Sequence, residues 1–137
     1  TRGSLYDLFE NRHPTIQKLA VDLKSILVKV FKSDIFIIDS FFSIFGAGGG
    51  TIRHTHLTKE DRDSTFDLGK QKYSLVYYLS TGDQECLEPG FLKFYEPSEK
   101  ILPKKGMITI FPANRQHSSV YGGNKDRVIV GANFYKL

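Results

Sequence analysis

The sequence predicts a mainly β protein, an antiparallel sandwich or small jelly roll with one helix in front of it. Apolar residues recur in steps of three and four between residues 14 and 30, which is the period of a helix. From residue 35 onwards, short runs rich in β-branched and aromatic residues alternate with turns that contain proline or glycine. A chain of 137 residues has the length of one domain. We therefore expect residues 1–33 to form a helical support and residues 34–137 to form the β core.

The helix is expected to begin at Pro14, because proline suits the first turn of a helix. Charged and polar residues separate the apolar positions, which predicts an amphipathic helix of roughly 17 residues with one face for packing. Its best use is to bury one side of a sheet. The apolar positions are Ile16, Leu19, Leu23, Ile26, Leu27 and Val30.

About eight strands follow the helix. Residues 35–38 and 40–45 read as the first two runs, residues 52–57 as the next, and residues 73–79 as the strongest strand of the sequence. Four more are predicted at residues 90–95, 106–111, 117–121 and 127–134. The polar and charged segment 58–72 is expected to be a loop over the mouth of a site, where substrate contacts are common.

Composition excludes several classes of protein. The net charge of +4 comes from scattered basic residues, and the longest basic run is the pair Lys104–Lys105, so we expect no nucleic-acid partner. There is no run of 18 apolar residues and no evident secretory signal, so we expect no membrane partner. The single cysteine, Cys86, excludes an internal disulfide and fits a reducing compartment. The expected location is the cytoplasm.

Three of the four histidines form the main candidate site. His54 and His56 are two residues apart on a predicted strand and should project from the same face. His117 lies on a distant strand that a jelly roll can bring beside them. Three imidazoles suit Fe(II), Zn, Cu or Ni. The plainer alternative is a set of surface or hydrogen-bonded histidines.

Arg127 lies ten residues after His117, on the next predicted strand. An antiparallel pair joined by the intervening turn would place Arg127 within reach of a ligand on the metal. Its planar guanidinium suits a carboxylate. The arrangement predicts a site for a small dicarboxylate that chelates the metal at one end and contacts Arg127 at the other.

An ordered set of residues resembles the Fe(II)/2-oxoglutarate-dependent oxygenases, and most of all the prolyl 4-hydroxylase-like group. The resemblance covers roughly residues 35–137. It rests on His54-Thr55-His56, residues 73–79, 90–94 and 103–112, His117 and Arg127.

This resemblance implies a double-stranded β-helix, with Fe(II) and 2-oxoglutarate as cofactors and O₂ as a reactant. It implies hydroxylation of a C–H bond in a prolyl or other peptide substrate, or in a small molecule. By the same resemblance, His54 and His117 are metal ligands and Arg127 anchors the far carboxylate of 2-oxoglutarate. Tyr73 or Tyr77 would add a hydroxyl to that anchor, although the sequence does not decide which face of their strand looks inward.

The sequence departs from the family at His56, where the family has a carboxylate ligand. Three neutral ligands leave the site one positive charge higher, which favours a dianionic cosubstrate. We expect His56 to be the third metal ligand because strand geometry already places it beside His54. The alternative is a carboxylate from Glu60, Asp61 or Asp63. A three-histidine set also resembles a catalytic zinc site.

Two other functions stay open at this stage. A cupin-like metalloenzyme would use three histidines without 2-oxoglutarate, and Arg127 would then be structural. A non-catalytic jelly-roll module would bind metal only incidentally. The primary substrate is not readable from the sequence, although segments 58–72 and 83–89 are expected to determine it.

Overall fold

The computed structural model of the protein describes residues 6–46, 49–58, 61 and 68–137, with the backbone alone for residues 49–54 and 68. Eight strands lie in this part of the chain: β1 (Ile35–Phe45), β2 (Gly49–His54), β3 (Lys72–Ser80), β4 (Leu92–Phe94), β5 (Glu99–Ile101), β6 (Ile108–Pro112), β7 (His117–Tyr121) and β8 (Arg127–Lys136). They form two antiparallel sheets in the orders β1-β8-β3-β6 and β2-β7-β4-β5. The predicted mainly β jelly roll, in its double-stranded β-helix form, is confirmed.

The predicted helix is α1 (Pro14–Phe31). It begins with Pro14 in its first turn, and the His13 side chain accepts a hydrogen bond from the Thr15 amide. It ends at Lys32, whose φ of 51° is left-handed, a conformation that stops a helix. A single turn of 3₁₀ helix (Leu8–Glu10) precedes it, and a short helix α2 (Leu68–Gln71) precedes β3.

The first predicted pair of strands is one long strand. Residues 35–45 all belong to β1, and its pairing with β8 shifts by one residue between Ile37 and Asp39. Such a bulge inserts an extra residue and changes which side chains face inward. The polar Asp39 read as a break in the sequence because a bulge and a strand end look alike at this level. Strand β5 was not predicted, since its three residues are too short to show a period.

Two apolar clusters divide the protein into layers. The first lies between α1 and the first sheet, and its buried members are Leu23, Leu27, Ile35, Leu75, Val130 and Phe134. The second lies between the two sheets, where Val76 and Ile101 pack against Leu92, Phe94 and Phe111. The predicted packing of the helix on a sheet is confirmed. Because side chains alternate along a strand, the odd positions of β3 face α1 and the even positions 74, 76 and 78 face the interior.

None of the helices in the described part of the chain combines the length and apolar character that a membrane crossing requires.

Candidate metal and cosubstrate site

His56 and His117 meet at one end of the interior. His117 begins β7, and His56 follows β2 in an extended segment that is fixed by a hydrogen bond of 2.8 Å from the His56 amide to the Ala113 carbonyl. The two Nε2 atoms are 3.0 Å apart, and the ring planes are inclined by only 12°. The fold therefore brings together two residues that are 61 positions apart in sequence.

The spacing of the two nitrogens fits a shared metal ion. Two ligand nitrogens at about 2.1 Å from one ion, and at right angles, are about 3.0 Å apart. His117 Nδ1 lies 3.1 Å from the Arg115 carbonyl, which accepts a hydrogen bond from a protonated Nδ1. That bond leaves His117 Nε2 with a lone pair, the form that a metal requires. Without metal, a proton on His56 Nε2 would bridge the two nitrogens.

His54 lies directly across from His117. The two Cα positions are partners in the β2–β7 pairing, after a register shift between Thr51 and His54. The His54 side chain lies outside the described residues, as do Glu60 and Asp63. No group of three His, Cys, Asp or Glu side chains with metal-site geometry occurs among the side chains that are described. The backbone alone thus brings all three predicted histidines to one end of the barrel.

Asp61, one of the alternative ligands, is already engaged elsewhere. Its buried carboxylate accepts a hydrogen bond of 2.8 Å from Lys72 Nζ, two from Thr58, and one from the Tyr135 hydroxyl. Burial by itself would raise the pKa of Asp61, but these hydrogen bonds outweigh it and hold the pKa far below its usual range. Asp61 fastens the segment after His56 to β3 and β8, which leaves it unsuited to bind a metal.

Arg127 lies at the opposite end of the interior and is only 2% exposed. Its nitrogens donate to three backbone carbonyls, those of Thr81 (3.3 Å), Pro89 (2.6 Å) and Gly90 (2.8 Å). No carboxylate of a described residue lies within 4 Å of its guanidinium. Burial lowers the pKa of Arg127 from its ordinary value. A buried cation without a nearby anion is unfavourable. Among the described residues, this one is stabilised by carbonyl dipoles and by the ring face of Tyr121.

Tyr78, rather than Tyr73 or Tyr77, accompanies Arg127. The two tyrosines predicted as anchors face α1 instead: the ring centre of Tyr73 lies 4.6 Å from that of Phe31 with the planes tilted by 56°, and Tyr77 packs on the same cluster. Tyr78 faces inward, and the Arg127 guanidinium lies 5.9 Å from its ring centre. Strand alternation predicts that Tyr77 and Tyr78 lie on opposite faces of β3. The position of α1 then shows which face is turned away from the barrel interior.

Further polar groups surround this end of the interior. Thr109 Oγ1 lies near Tyr78 but is buried without a hydrogen bond of normal geometry among the described residues. Burial raises the pKa of the Tyr78 hydroxyl, against the opposing effects of Thr109 and the Arg127 charge. Tyr121 packs against the guanidinium at 4.7 Å. This end of the interior therefore holds a cluster of hydrogen-bond donors from Arg127, Tyr78 and Thr109. Not all of their N–H and O–H groups are used by the described residues.

A loop covers the interior at Arg127. Arg127 binds three carbonyls of this loop region. In addition, the Tyr121 hydroxyl accepts a hydrogen bond of 2.7 Å from the Asp83 amide and donates one to the Lys125 carbonyl. Gly90 has a φ of 83°, and any Cβ there would overlap the guanidinium. The contacts of Arg127 and Tyr121 thus fix loop 81–90 across this end of the barrel.

A polar cleft of about 640 Å³ adjoins the histidines on the outside. Thr55, which lies between His54 and His56, forms part of its wall, and residues 114–116, which lead into His117, form another part. Tyr95 and Glu96 line the remainder. The two chain segments that hold the histidines are therefore also the walls of a space large enough for a ligand.

Comparison with known proteins gives a structural match only. No protein-family model matches the sequence, and no curated protein does. Among solved structures, a viral collagen prolyl hydroxylase from Paramecium Bursaria Chlorella virus-1 aligns with a TM-score of 0.69 at 16% identity, over 93% of this chain and 75% of that one. A prolyl hydroxylase from Trichoplax adhaerens, in complex with a hypoxia-inducible-factor peptide, aligns with 0.70 at 17% identity, over 96% and 61%.

An oxidoreductase of the 2OG-Fe(II) oxygenase family from Burkholderia pseudomallei aligns with a TM-score of 0.66 at 13% identity. The match covers 88% of this chain, which spans 56% of the length of that protein. At these identities the similarity establishes the architecture. The chain has the double-stranded β-helix fold of 2OG-Fe(II) oxygenases and prolyl hydroxylases.

Proposed function

We propose that the protein is a non-haem dioxygenase dependent on Fe(II) and 2-oxoglutarate, which hydroxylates a C–H bond of a prolyl, other peptide or small-molecule substrate. One observation carries the proposal: a pair of imidazole nitrogens 3.0 Å apart and a buried guanidinium, which has no carboxylate partner among the described residues, face one barrel interior. The first suits a metal, and the second suits an acid. The shared fold supports the same function.

The metal would be held by His54, His56 and His117. The spacing of the two described Nε2 atoms fits the ion, and the Arg115 carbonyl orients His117. His56 would serve as the third ligand in place of a carboxylate, because its Nε2 lies 3.0 Å from that of His117. Asp61 is held by Lys72, Thr58 and Tyr135 and does not compete with it. A neutral third ligand leaves more positive charge for a bound dianion.

The cosubstrate would be anchored by Arg127 and Tyr78. Three hydrogen bonds to carbonyls use three of the five guanidinium N–H donors, so two remain for a carboxylate. The Tyr78 and Thr109 hydroxyls lie on adjacent strands beside it, and Thr109 Oγ1 has no hydrogen bond of normal geometry among the described residues. A carboxylate at this place would neutralise the buried cation and satisfy Thr109.

Bound Fe(II), 2-oxoglutarate and O₂ would supply an oxidative decarboxylation coupled to hydroxylation. The chain's own contribution is positioning and exclusion of water. Phe111 lies 4.7 Å from the His117 ring centre and 6.1 Å from that of His56, and Phe94 packs behind it. These rings form an apolar wall beside the ligands, which limits water on that side.

The test begins with binding. Purified protein is loaded anaerobically with Fe(II), and 2-oxoglutarate is titrated by calorimetry, with metal-free protein as the control. We expect binding that requires the metal, followed by succinate formation when O₂ is admitted. Absence of 2-oxoglutarate binding to metal-loaded protein, together with absence of succinate, would reject the function.

One observation favours a second candidate, the three-histidine metalloenzyme that does not use 2-oxoglutarate. Arg127 already bonds three backbone carbonyls, as a purely structural arginine would. This candidate predicts that metal binds with undiminished affinity while 2-oxoglutarate does not bind at all. The same titration separates the two functions.

A further inference from the structure

A row of polar side chains crosses the inner face of the first sheet. Asp39, Asn133, Ser74 and Phe111 are successive cross-strand partners on β1, β8, β3 and β6. Phe111 at the end of this row contacts both His56 and His117. The row is therefore level with the metal end of the interior. No residue of it except Phe111 belongs to the site described above.

Hydrogen bonds fix the orientation of each polar member. Ser74 Oγ donates to Asn133 Oδ1 at 2.7 Å, and Asn133 Nδ2 donates to Asp39 Oδ1 at 2.8 Å. Ser74 is 2% exposed and Asn133 is 7% exposed, so the chain of bonds runs from the buried middle of the sheet towards its edge. A buried amide that bonds on both sides is held in one of its two possible orientations. The arrangement presents Asp39 as an acceptor at the end of a rigid row.

Asp39 is a half-buried carboxylate without a cationic neighbour. Among the described residues, no Lys, Arg or His nitrogen lies within 4 Å of it, and its one side-chain hydrogen bond comes from Asn133. A carboxylate accepts about four hydrogen bonds, so most of its capacity is available. Removing such a charge from water is costly unless a cation pairs with it.

We propose that Asp39, oriented by Asn133 and Ser74, binds a protonated amine or guanidinium of the primary substrate. This inference rests on the proposed function and names the substrate class of that site. Charge then sorts the two ligands. Arg127 would attract the far carboxylate of the cosubstrate, while Asp39 would attract a cation at the level of the metal.

The first test uses wild-type protein and matched pairs of probes. Capped tripeptides with a central lysine or arginine are compared with the same peptides carrying norleucine or citrulline. A further pair carries a free or an acetylated N-terminus. The readout is succinate formed above the substrate-free rate. We expect the cationic member of at least one pair to stimulate at least about tenfold more than its neutral partner, as a charge-assisted hydrogen bond allows.

The second test uses variants. Asp39→Asn keeps the shape and the bond to Asn133 but loses the charge, so the preference for the cationic probe should disappear while the affinity for 2-oxoglutarate stays within about twofold. Asp22→Asn, a change at an exposed residue of α1 paired with Lys18, is the matched control and should keep the preference. Thermal unfolding verifies that both variants are folded.

The outcomes separate this inference from the proposed function. If metal-loaded protein binds 2-oxoglutarate but cationic and neutral probes stimulate equally, or none stimulates, the inference is wrong and the function stands. An unchanged preference in Asp39→Asn also overturns it. If 2-oxoglutarate does not bind to metal-loaded wild-type protein, the proposed function itself fails.

Discussion

The inner and outer tyrosines of β3 provide the sharpest prediction for a single side chain. Tyr78→Phe should weaken 2-oxoglutarate binding by roughly 3- to 10-fold, because one hydroxyl hydrogen bond contributes about 0.5–1.5 kcal/mol. Tyr77→Phe is the control: its side chain packs towards α1, so its effect should be within about twofold. Calorimetry on metal-loaded protein measures both. Equal effects of the two changes would contradict the assignment of Tyr78.

The histidines allow a similar comparison. His117→Ala should reduce metal affinity by at least about 100-fold, since it removes one of the three proposed ligands. His13, the fourth histidine, caps α1 at the surface, and His13→Ala should leave metal affinity unchanged. Competition with a coloured chelator measures the difference. Metal binding that survives His117→Ala would place the ion elsewhere.

Prediction from sequence succeeded for residues with distinctive chemistry and failed where geometry decided. Three of the four histidines were expected to come together because imidazoles are rare and their spacing fits a strand, and the backbone brings them to one end of the barrel. Arg127 was found by its offset from His117, but its three carbonyl partners lie in a loop that has no readable pattern. The position of Tyr78 beside Arg127 was not predicted, because the period of two separates its face from that of Tyr77 without saying which face is inside.

Among the connecting segments, the one after His56 is tied down by an ion pair. Asp61 and Lys72 are almost fully buried, and removing one partner leaves the other charge uncompensated. Asp61→Asn should therefore reduce the free energy of unfolding at neutral pH by about 3–5 kcal/mol. Denaturant unfolding measures this change, and a loss below 1 kcal/mol would show that the segment is held by other contacts.

The same residue predicts a pH dependence with a definite sign. The folded-state pKa of Asp61 lies below its unfolded value, so its contribution is complete above about pH 4 and is lost as pH falls further. Wild-type stability should thus decline more steeply than that of Asp61→Asn between pH 5 and pH 2.5. Parallel slopes for the two proteins would contradict the assigned pKa shift.

Elements were predictable where a period was long enough to count. The apolar steps of α1 predicted its packing face, and the proline at its start matched its first turn. β1 was divided in two because its bulge at Asp39 resembles a strand end. β5 has three residues and two exposed positions, so no alternation was available.

For the whole molecule, ligand binding should appear as added stability. On the proposed function, metal and 2-oxoglutarate bind only the folded barrel, so each at about 100 times its Kd should add roughly 2.7 kcal/mol, or several degrees in Tm. 2-Oxoglutarate should stabilise the protein only when metal is present, because chelation supplies much of its binding. Stabilisation by 2-oxoglutarate of the metal-free protein to the same degree would argue against a chelating cosubstrate.

The pairing of distant strands is what the sequence could not provide. β8 lies between β1 and β3, and β7 between β2 and β4, so β8 and β7 pair with strands that are distant in the chain. Strand periodicity specifies faces but not neighbours. The resemblance to a known family supplied that topology, and the structure agrees with it.

The loop fastened beneath Arg127 has a kinetic consequence. With that end closed by loop 81–90, a ligand of Arg127 would enter the barrel from the histidine end, past the row that ends at Asp39. On the proposed function, the acid must arrive before the amine-bearing molecule blocks its path, and succinate must depart after the hydroxylated product. Binding and release would then follow a compulsory order, and an excess of the amine-bearing reactant would hold succinate inside the barrel.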